Sequence, residues 1–211
     1  MKVFIVGASG MVGQALVQEA LQRGHQVTAA ARDVSKAVAT PGVTLRQVDA
    51  GDERAVRDAV AGSDAVIAAV SGRKSGHDTV PAIARNLLAA LAAAGVQRLL
   101  WVGGAGSLEV APGVQLITTP NFPDAWKDEA RGQGRALEVF RASASALNWT
   151  YFSPAAMLQP GERTGHYRMG GDQLLQDAAG NSQISVADFA LAMIDELERN
   201  AHPRQRMTVA Y

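Results

Sequence analysis

The feature that most constrains this chain is a glycine turn standing between an apolar run and a helical pattern near its start. Lys2-Val3-Phe4-Ile5-Val6 is rich in β-formers and runs directly into Gly7-Ala8-Ser9-Gly10-Met11-Val12-Gly13. From Met11 onward the apolar residues fall at helical spacing. Val12, Leu16, Val17, Ala20 and Leu21 share one side, and Gln14, Gln18, Gln22 and Arg23 the other. Strand, glycine turn and helix in that order open a βαβ unit able to hold a dinucleotide. Gly7 permits a tight turn off the strand, Gly10 lets the backbone approach a pyrophosphate, and Gly13 lets helix and strand pack closely. The first N–H groups of the helix have no helical partner and can receive the phosphates. Glycine spacing alone says little in a chain with 21 glycines. Its strand and helix give it meaning.

Bulk properties narrow the setting. A chain of 211 residues suits one domain burying about 70% of its extended surface. Twenty basic and twenty acidic residues cancel, which gives no long-range pull toward nucleic acid or an anionic membrane. The absence of cysteine excludes disulfides, thiol chemistry and thiolate metal sites. Histidines 25, 77, 166 and 202 are too scattered for a zinc motif, so no metal is expected. No apolar run approaches the ~18 residues of a membrane span. The first residues enter a strand without a signal-peptide pattern. These points lead to the expectation of a cytoplasmic protein, monomer or homodimer, acting on a small molecule.

Strand and helix patterns then alternate. Residues 25–31 read as a second strand with Arg32 at its tip, where a basic side chain suits the 2′-phosphate of NADPH and an acid suits NADH. A solvated arginine is the plainer reading, and Asp33 one residue on could reach the ribose. Residues 33–39 read as a short helix or turn. Residues 43–48 form a third strand delivering Asp49 and Ala50 where adenine is expected, and Asp52 caps a helix over 53–61. The nearly all-apolar run 65–70 is a buried parallel strand. Small residues at Ala68 and Ala69, beside Val70, leave room for a cofactor or simply pack tightly. Ser71 to Asp78 is a polar loop carrying Arg73, Lys74 and His77, followed by a helix over 80–94 and a fifth strand over 97–102.

Five alternations predict an α/β Rossmann fold with a mostly parallel, doubly wound sheet. Residues 109–126, with three prolines, read as a long loop. A helix follows over 127–146, its first half weakened by Gly132 and Gly134, which leaves room for an unwound start near the cofactor. After a sixth strand at 147–152, residues 165–169 and 173–175 read as a hairpin or two short strands, 187–199 as a helix and 206–210 as a closing strand. No linker interrupts 1–211, so residues 155–211 are expected as a small substrate-side lobe packed on the core rather than an independent domain.

Four segments carry a resemblance that extends over nearly the whole chain. They are the glycine turn with Arg32, then Val102-Gly103-Gly104-Ala105-Gly106-Ser107-Leu108, then Ser153-Pro154-Ala155-Ala156-Met157 with Pro160-Gly161-Glu162-Arg163-Thr164-Gly165, and finally Ile184-Ser185-Val186-Ala187-Asp188-Phe189-Ala190. The chain resembles the atypical short-chain dehydrogenase/reductase superfamily, in particular small bacterial NAD(P)H-binding, NADH-flavin reductase-like proteins related to biliverdin reductase B. The resemblance implies that Gly7, Ser9, Gly10, Met11 and Gly13 wrap the pyrophosphate, that Arg32 takes the adenosine phosphate, and that Asp49 and Ala50 flank adenine. It places Ala68, Ala69 and Val70 beside the nicotinamide-side ribose, counts Gly103 among the cofactor-binding residues, and sets Pro154, Ala155, Ala156 and Met157 along the nicotinamide.

The full enzymes of that superfamily use Tyr-x-x-x-Lys on a helix. Lys127 matches the lysine, holding the ribose, but Pro123 stands where the tyrosine belongs. Gly103, Gly104 and Ala105 offer no hydroxyl where a catalytic serine or threonine is usual, and Ser107 lies downstream. The resemblance therefore implies an NAD(P)H-dependent reductase, NADPH favoured, acting on free flavin, quinone or a similar conjugated acceptor. In that reading flavin is a substrate, not a bound cofactor. Trp126, Phe122, His166 and Tyr167 are the expected pocket residues, although each aromatic has a plain core or lid reading. A nucleotide-binding sensor without turnover is the alternative, and a sugar epimerase or dehydratase a weaker one.

Overall fold

The computed structural model of the chain describes residues 1–35, 40–73 and 76–211. In chain order the first half comprises β1 (Lys2–Val6), α1 (Met11–Gln22), β2 (Gln26–Ala31), β3 (Val43–Gln47), α2 (Glu53–Val60), β4 (Ala65–Ala68), α3 (Thr79–Ala94) and β5 (Arg98–Val102). The second half adds β6 (Glu109–Ala111), β7 (Val114–Gln115), α4 (Asp124–Ala142), β8 (Asn148–Pro154), β9 (Met157–Gln159), β10 (Arg168–Gly170), β11 (Gln183–Ser185), α5 (Val186–Arg199) and β12 (Gln205–Ala210). The expected turn at 36–39 and Lys74 lie outside the described residues.

One sheet of eight strands, ordered β10-β12-β8-β5-β4-β1-β2-β3, organises the fold. Every neighbouring pair in it is parallel except β10–β12. This is the doubly wound Rossmann sheet that the alternation predicts. The strand order reverses at β1, between β2 and β4, which is the switch point where such sheets receive ligands. Two apolar layers cover the sheet. Val3, Ile5 and Phe152 meet α1 and α5 on one face, and Phe4, Val66 and Trp101 meet α2, α3 and α4 on the other. Burial on both faces explains why β1, β4 and β5 read as unbroken apolar runs.

Three local expectations are corrected. Helix α4 begins at Asp124 and runs without a break to Ala142. Gly132 does not unwind it. A Cβ there would lie 2.8 Å from the His77 carbonyl oxygen, so the glycine serves a close approach of the loop after β4. The supposed loop 109–126 contains the β6–β7 hairpin and a 3-10 turn over Leu116–Thr118. Residues 165–169 and 173–175 do not pair with each other. β10 pairs with β12, and Gln173 bridges to Glu109. Long-range partners satisfy these backbones, which local periodicity does not reveal. Within residues 155–211, β12 lies inside the main sheet beside β8, and α5 packs along α1.

Candidate functional site

The carboxyl ends of β1, β2, β4, β5 and β8 form one edge of the sheet, and most expected site residues sit along it. Gly7 adopts φ +77°, and a Cβ there would fall 2.1 Å from the Ala69 carbonyl oxygen. A Cβ on Gly13 would lie 2.2 Å from the Gly7 carbonyl oxygen. These two glycines are fixed by packing. Gly10 differs, since its nearest prospective neighbour is 3.5 Å away and its outer side is open. The start of α1 has no side-chain cap and no acid in its first turn. Met11 there is half exposed. A helix start left this way keeps free N–H donors and a positive end without an internal anion, which is what a pyrophosphate requires. The residues fit the group.

Beside this turn opens a cavity of about 420 Å³, lined by Ala8, Ser9, Met11, Val34, Ala31 and Leu45 among others. Arg32, in sequence between the lining residues Ala31 and Val34, is exposed. Asp33 is turned back on its own loop, accepting from the Ser35 N–H at 2.9 Å. At the next strand end Asp49 is exposed and accepts from the Gly51 N–H at 2.9 Å, whereas Ala50 is buried against α2 and α3. Asn86 of α3 holds this loop by donating to the Gly51 carbonyl at 2.7 Å.

At β4 and β5, Ala68 is buried and Ala69 and Val70 are half-buried. Gly103 is a glycine because the Tyr151 ring occupies its side-chain space, 2.1 Å from where a Cβ would stand. Pro154 and Ala155 are buried, while Met157 on β9 is exposed. Lys127 and Trp126 ride on the first turns of α4. Trp126 is exposed and Lys127 half-buried, its Nζ held 2.6 Å from Asp124 Oδ1. That hydrogen bond and charge hold the Asp124 carboxyl below its ordinary range. Phe122 lies just before this turn, half-buried.

His166 and Tyr167 lie between β9 and β10. Their loop is drawn onto α5 by Asp188, which accepts from Thr164 Oγ1 at 2.7 Å, the Gly165 N–H at 2.9 Å and Tyr211 OH at 2.7 Å. Burial alone would raise the Asp188 carboxyl, but these donors outweigh it and hold it below the ordinary value. Tyr167 donates to Asp195 at 2.6 Å on the outer side of α5, beside Arg23 at the end of α1. Burial and then Asp195 push its phenol up to about 12. Asp195 of α5 thus claims the Tyr167 hydroxyl, against the pocket role expected of it, while the His166 side chain is exposed. Ser107 is also occupied, its Oγ accepting from Arg206 at 2.9 Å.

The sequence reading missed a buried polar group behind the edge. Gln133 of α4 accepts from Trp101 Nε1 at 2.9 Å and donates to the Val70 carbonyl at 3.0 Å. Its signal was present, because a glutamine stands in the stripe that continues to Leu137 and Phe140. Tyr151 donates to the Gln133 carbonyl at 2.9 Å and accepts from the Gly104 N–H at 3.2 Å. Its complete burial pushes the phenol far above the ordinary value.

A doubly wound sheet, a packed glycine turn and an uncapped helix start at the switch point define a Rossmann nucleotide-binding protein. The chain belongs to the NAD(P)H-binding family, whose model matches residues 7–197. Bacillus subtilis YwnB is 40% identical over 99% of this chain and 98% of its own length. A solved Burkholderia pseudomallei protein, named as a candidate exported protein, is 42% identical with a TM-score of 0.92 over the whole of both chains. A candidate NADH-flavin reductase from Streptococcus pneumoniae is 34% identical with a TM-score of 0.86, over 100% of this chain and 99% of its own.

The Burkholderia relative overturns the cytoplasmic expectation. A cysteine-free, charge-balanced Rossmann chain has nothing in it that demands a reducing compartment, so those features do not carry an address. Among the described residues no helix is long and apolar enough to cross a membrane.

Proposed function

We propose that the protein is an NADPH-dependent reductase of free flavin, quinone or a similar conjugated acceptor. The observation that carries this reading is the fate of the tyrosines. All three in the chain are committed to internal partners: Tyr151 to the Gln133 carbonyl, Tyr167 to Asp195 and Tyr211 to Asp188. The cleft therefore lacks the phenolate base that alcohol oxidation or sugar epimerisation would use, while its phosphate turn is intact. The name of the Streptococcus pneumoniae relative supports a flavin acceptor.

When bound, NADPH supplies a hydride. The chain's task is to bind and orient. Gly7, Ser9, Gly10, Met11 and Gly13 receive the pyrophosphate, and Arg32 the 2′-phosphate, with Asp49 and the backbone at Ala50 beside adenine. Ala68 to Val70, Gly103 and Lys127 surround the nicotinamide-side ribose. Pro154 to Met157 line the nicotinamide, and Trp126 with Phe122 borders the acceptor. Stacking donor on acceptor accounts for most of the rate such a site needs, and water supplies the proton.

The test is NADPH oxidation with excess FMN, run beside direct titrations of NADPH and NADH. Protein-dependent oxidation is expected, with a quinone panel to follow. Tight binding without oxidation across that panel would replace this reading with a nucleotide sensor. Lys127→Met should weaken NADPH binding without unfolding the protein.

A further inference from the structure

Behind the carboxyl edge of the sheet, α4 carries polar side chains turned toward the segment that leaves β4. Gln133 is only 4% exposed. One turn earlier, Glu129 Oε2 accepts from Ser71 Oγ and from the Gly72 N–H, both at 3.2 Å. The same oxygen stands 3.0 Å from His77 Nδ1, without the alignment of a hydrogen bond. Glu129 Oε1 takes a longer bond from Gln133 Nε2, at 3.4 Å. That amide also holds the Val70 carbonyl. Gly132 lies between the two and lets the His77 backbone come down onto the helix. A carboxylate and an amide placed here cost free energy unless each is bonded. Apart from Trp101, every outside partner they find belongs to the segment that leaves β4.

We propose that Glu129 and Gln133 are positioning residues for the cofactor, holding the peptides from Val70 to Gly72 at a fixed distance from the first turn of α4. The inference rests on the reading of the β4 end and Lys127 as the two walls of the nicotinamide-side ribose site. Those walls belong to different elements, joined by no backbone ladder. Lys127 stands two residues before Glu129 on the same helix, so the clamp that fixes the loop to the helix also fixes one wall against the other. Preformed, the site binds without ordering cost; released, it must assemble each time.

The test uses the full chain with Glu129→Ala, Glu129→Gln and Gly132→Ala. Four quantities are read: the NADPH Kd by titration, kcat and KM with FMN, amide exchange over 69–73, and the thermal midpoint. Glu129→Ala should raise the Kd about tenfold and reduce amide protection over 69–73, a loss of affinity beyond what any fall in thermal midpoint accounts for. Glu129→Gln keeps an oxygen for the Gly72 N–H and should recover most of the affinity. Gly132→Ala removes no bond and favours the helix, yet it pushes the loop away and should weaken NADPH by a similar factor. The ratio of NADPH to NADH affinity should hold in all three, because Arg32 is untouched.

Unchanged affinity in Glu129→Ala and Gly132→Ala would overturn the proposal, as would a loss that only tracks a fall in thermal midpoint. A wild-type protein that binds NADPH but reduces no acceptor would remove the reductase reading alone. The affinities of the variants would still decide the clamp.

Discussion

The phosphate turn and the α4 side of the sheet's carboxyl edge are built from different materials. At the phosphate end the geometry is backbone: Gly7 and Gly13 meet neighbouring carbonyls at distances no side chain tolerates, and the helix start is left bare. On the α4 side it is side chain: Gln133 holds the Val70 carbonyl and Arg206 the Ser107 carbonyl, through bonds that span 63 and 99 positions of sequence. A backbone site fails all at once when a methyl group is added. A side-chain site degrades bond by bond. This contrast sets the order of the expected effects.

The largest belongs to Gly13. A side chain there must displace the Gly7 peptide, so Gly13→Val should abolish NADPH binding in titration. Overpacking should also cost about 1–3 kcal/mol of stability. Gly10→Ala is the control within the same turn, since its nearest neighbour is 3.5 Å away. It should fold normally and lose affinity only by crowding the phosphate. Equal damage from both would show that the turn is general packing rather than a cradle.

Asp188 comes next and tests the other material. Asp188→Ala strands the donors of Thr164, Gly165 and Tyr211, at about 1–3 kcal/mol for each one left buried and unsatisfied. Denaturation should show the loss as one transition if, as we propose, residues 1–211 unfold as a single domain. The Asp188 carboxyl is held below its ordinary value in the folded state, so its contribution is present above the unfolded value. It disappears as pH falls through the folded one. Thermal midpoints should therefore drop below about pH 4, and less steeply in Asp188→Asn.

The same contrast explains what the sequence could reveal. The glycine turn was legible because its logic is local: strand, turn and helix fall within residues 2–22. The doubly wound sheet was legible because parallel strands buried on both faces leave unbroken apolar runs. Asp52 was recognisable as a cap, and it accepts from the Ala55 N–H at 2.9 Å. By contrast, Gly132 and Gly134 look like helix breakers, although Gly132 marks a close approach by His77. The Arg163-Thr164-Gly165 motif and the distant Asp188 look like substrate-side elements in sequence, but they bind each other and α1, with Arg163 on Glu19 at 2.8 and 3.0 Å. Nothing in either segment names its partner.

A smaller effect is expected at Arg32, where backbone and side-chain logic meet. If it takes the 2′-phosphate, Arg32→Ala should weaken NADPH by roughly ten- to hundredfold, the worth of a charge-assisted hydrogen bond. NADH should change less than twofold. Asp33 accepts from the Ser35 N–H of its own loop. Equal losses for the two nucleotides would return Arg32 to solvent.

The smallest effect sharpens the boundary of the site. Tyr167 was expected at the acceptor, yet its hydroxyl is spent on Asp195, which also receives Arg23 at 2.9 Å. Tyr167→Phe removes one hydrogen bond to a charged acceptor and keeps the ring against α5, so it should cost about 1–2 kcal/mol in a denaturation curve. Turnover with FMN should stay at the wild-type value. Trp126→Ala is the counterpart, because Trp126 is exposed beside Lys127 and makes little of the core. It should leave stability nearly intact and raise the KM for the acceptor. The two variants exchange signatures: one alters stability without chemistry, the other chemistry without stability. A fall in turnover for Tyr167→Phe would move the acceptor across the sheet edge toward α5, and the cleft would have to be redrawn with both helices as its walls.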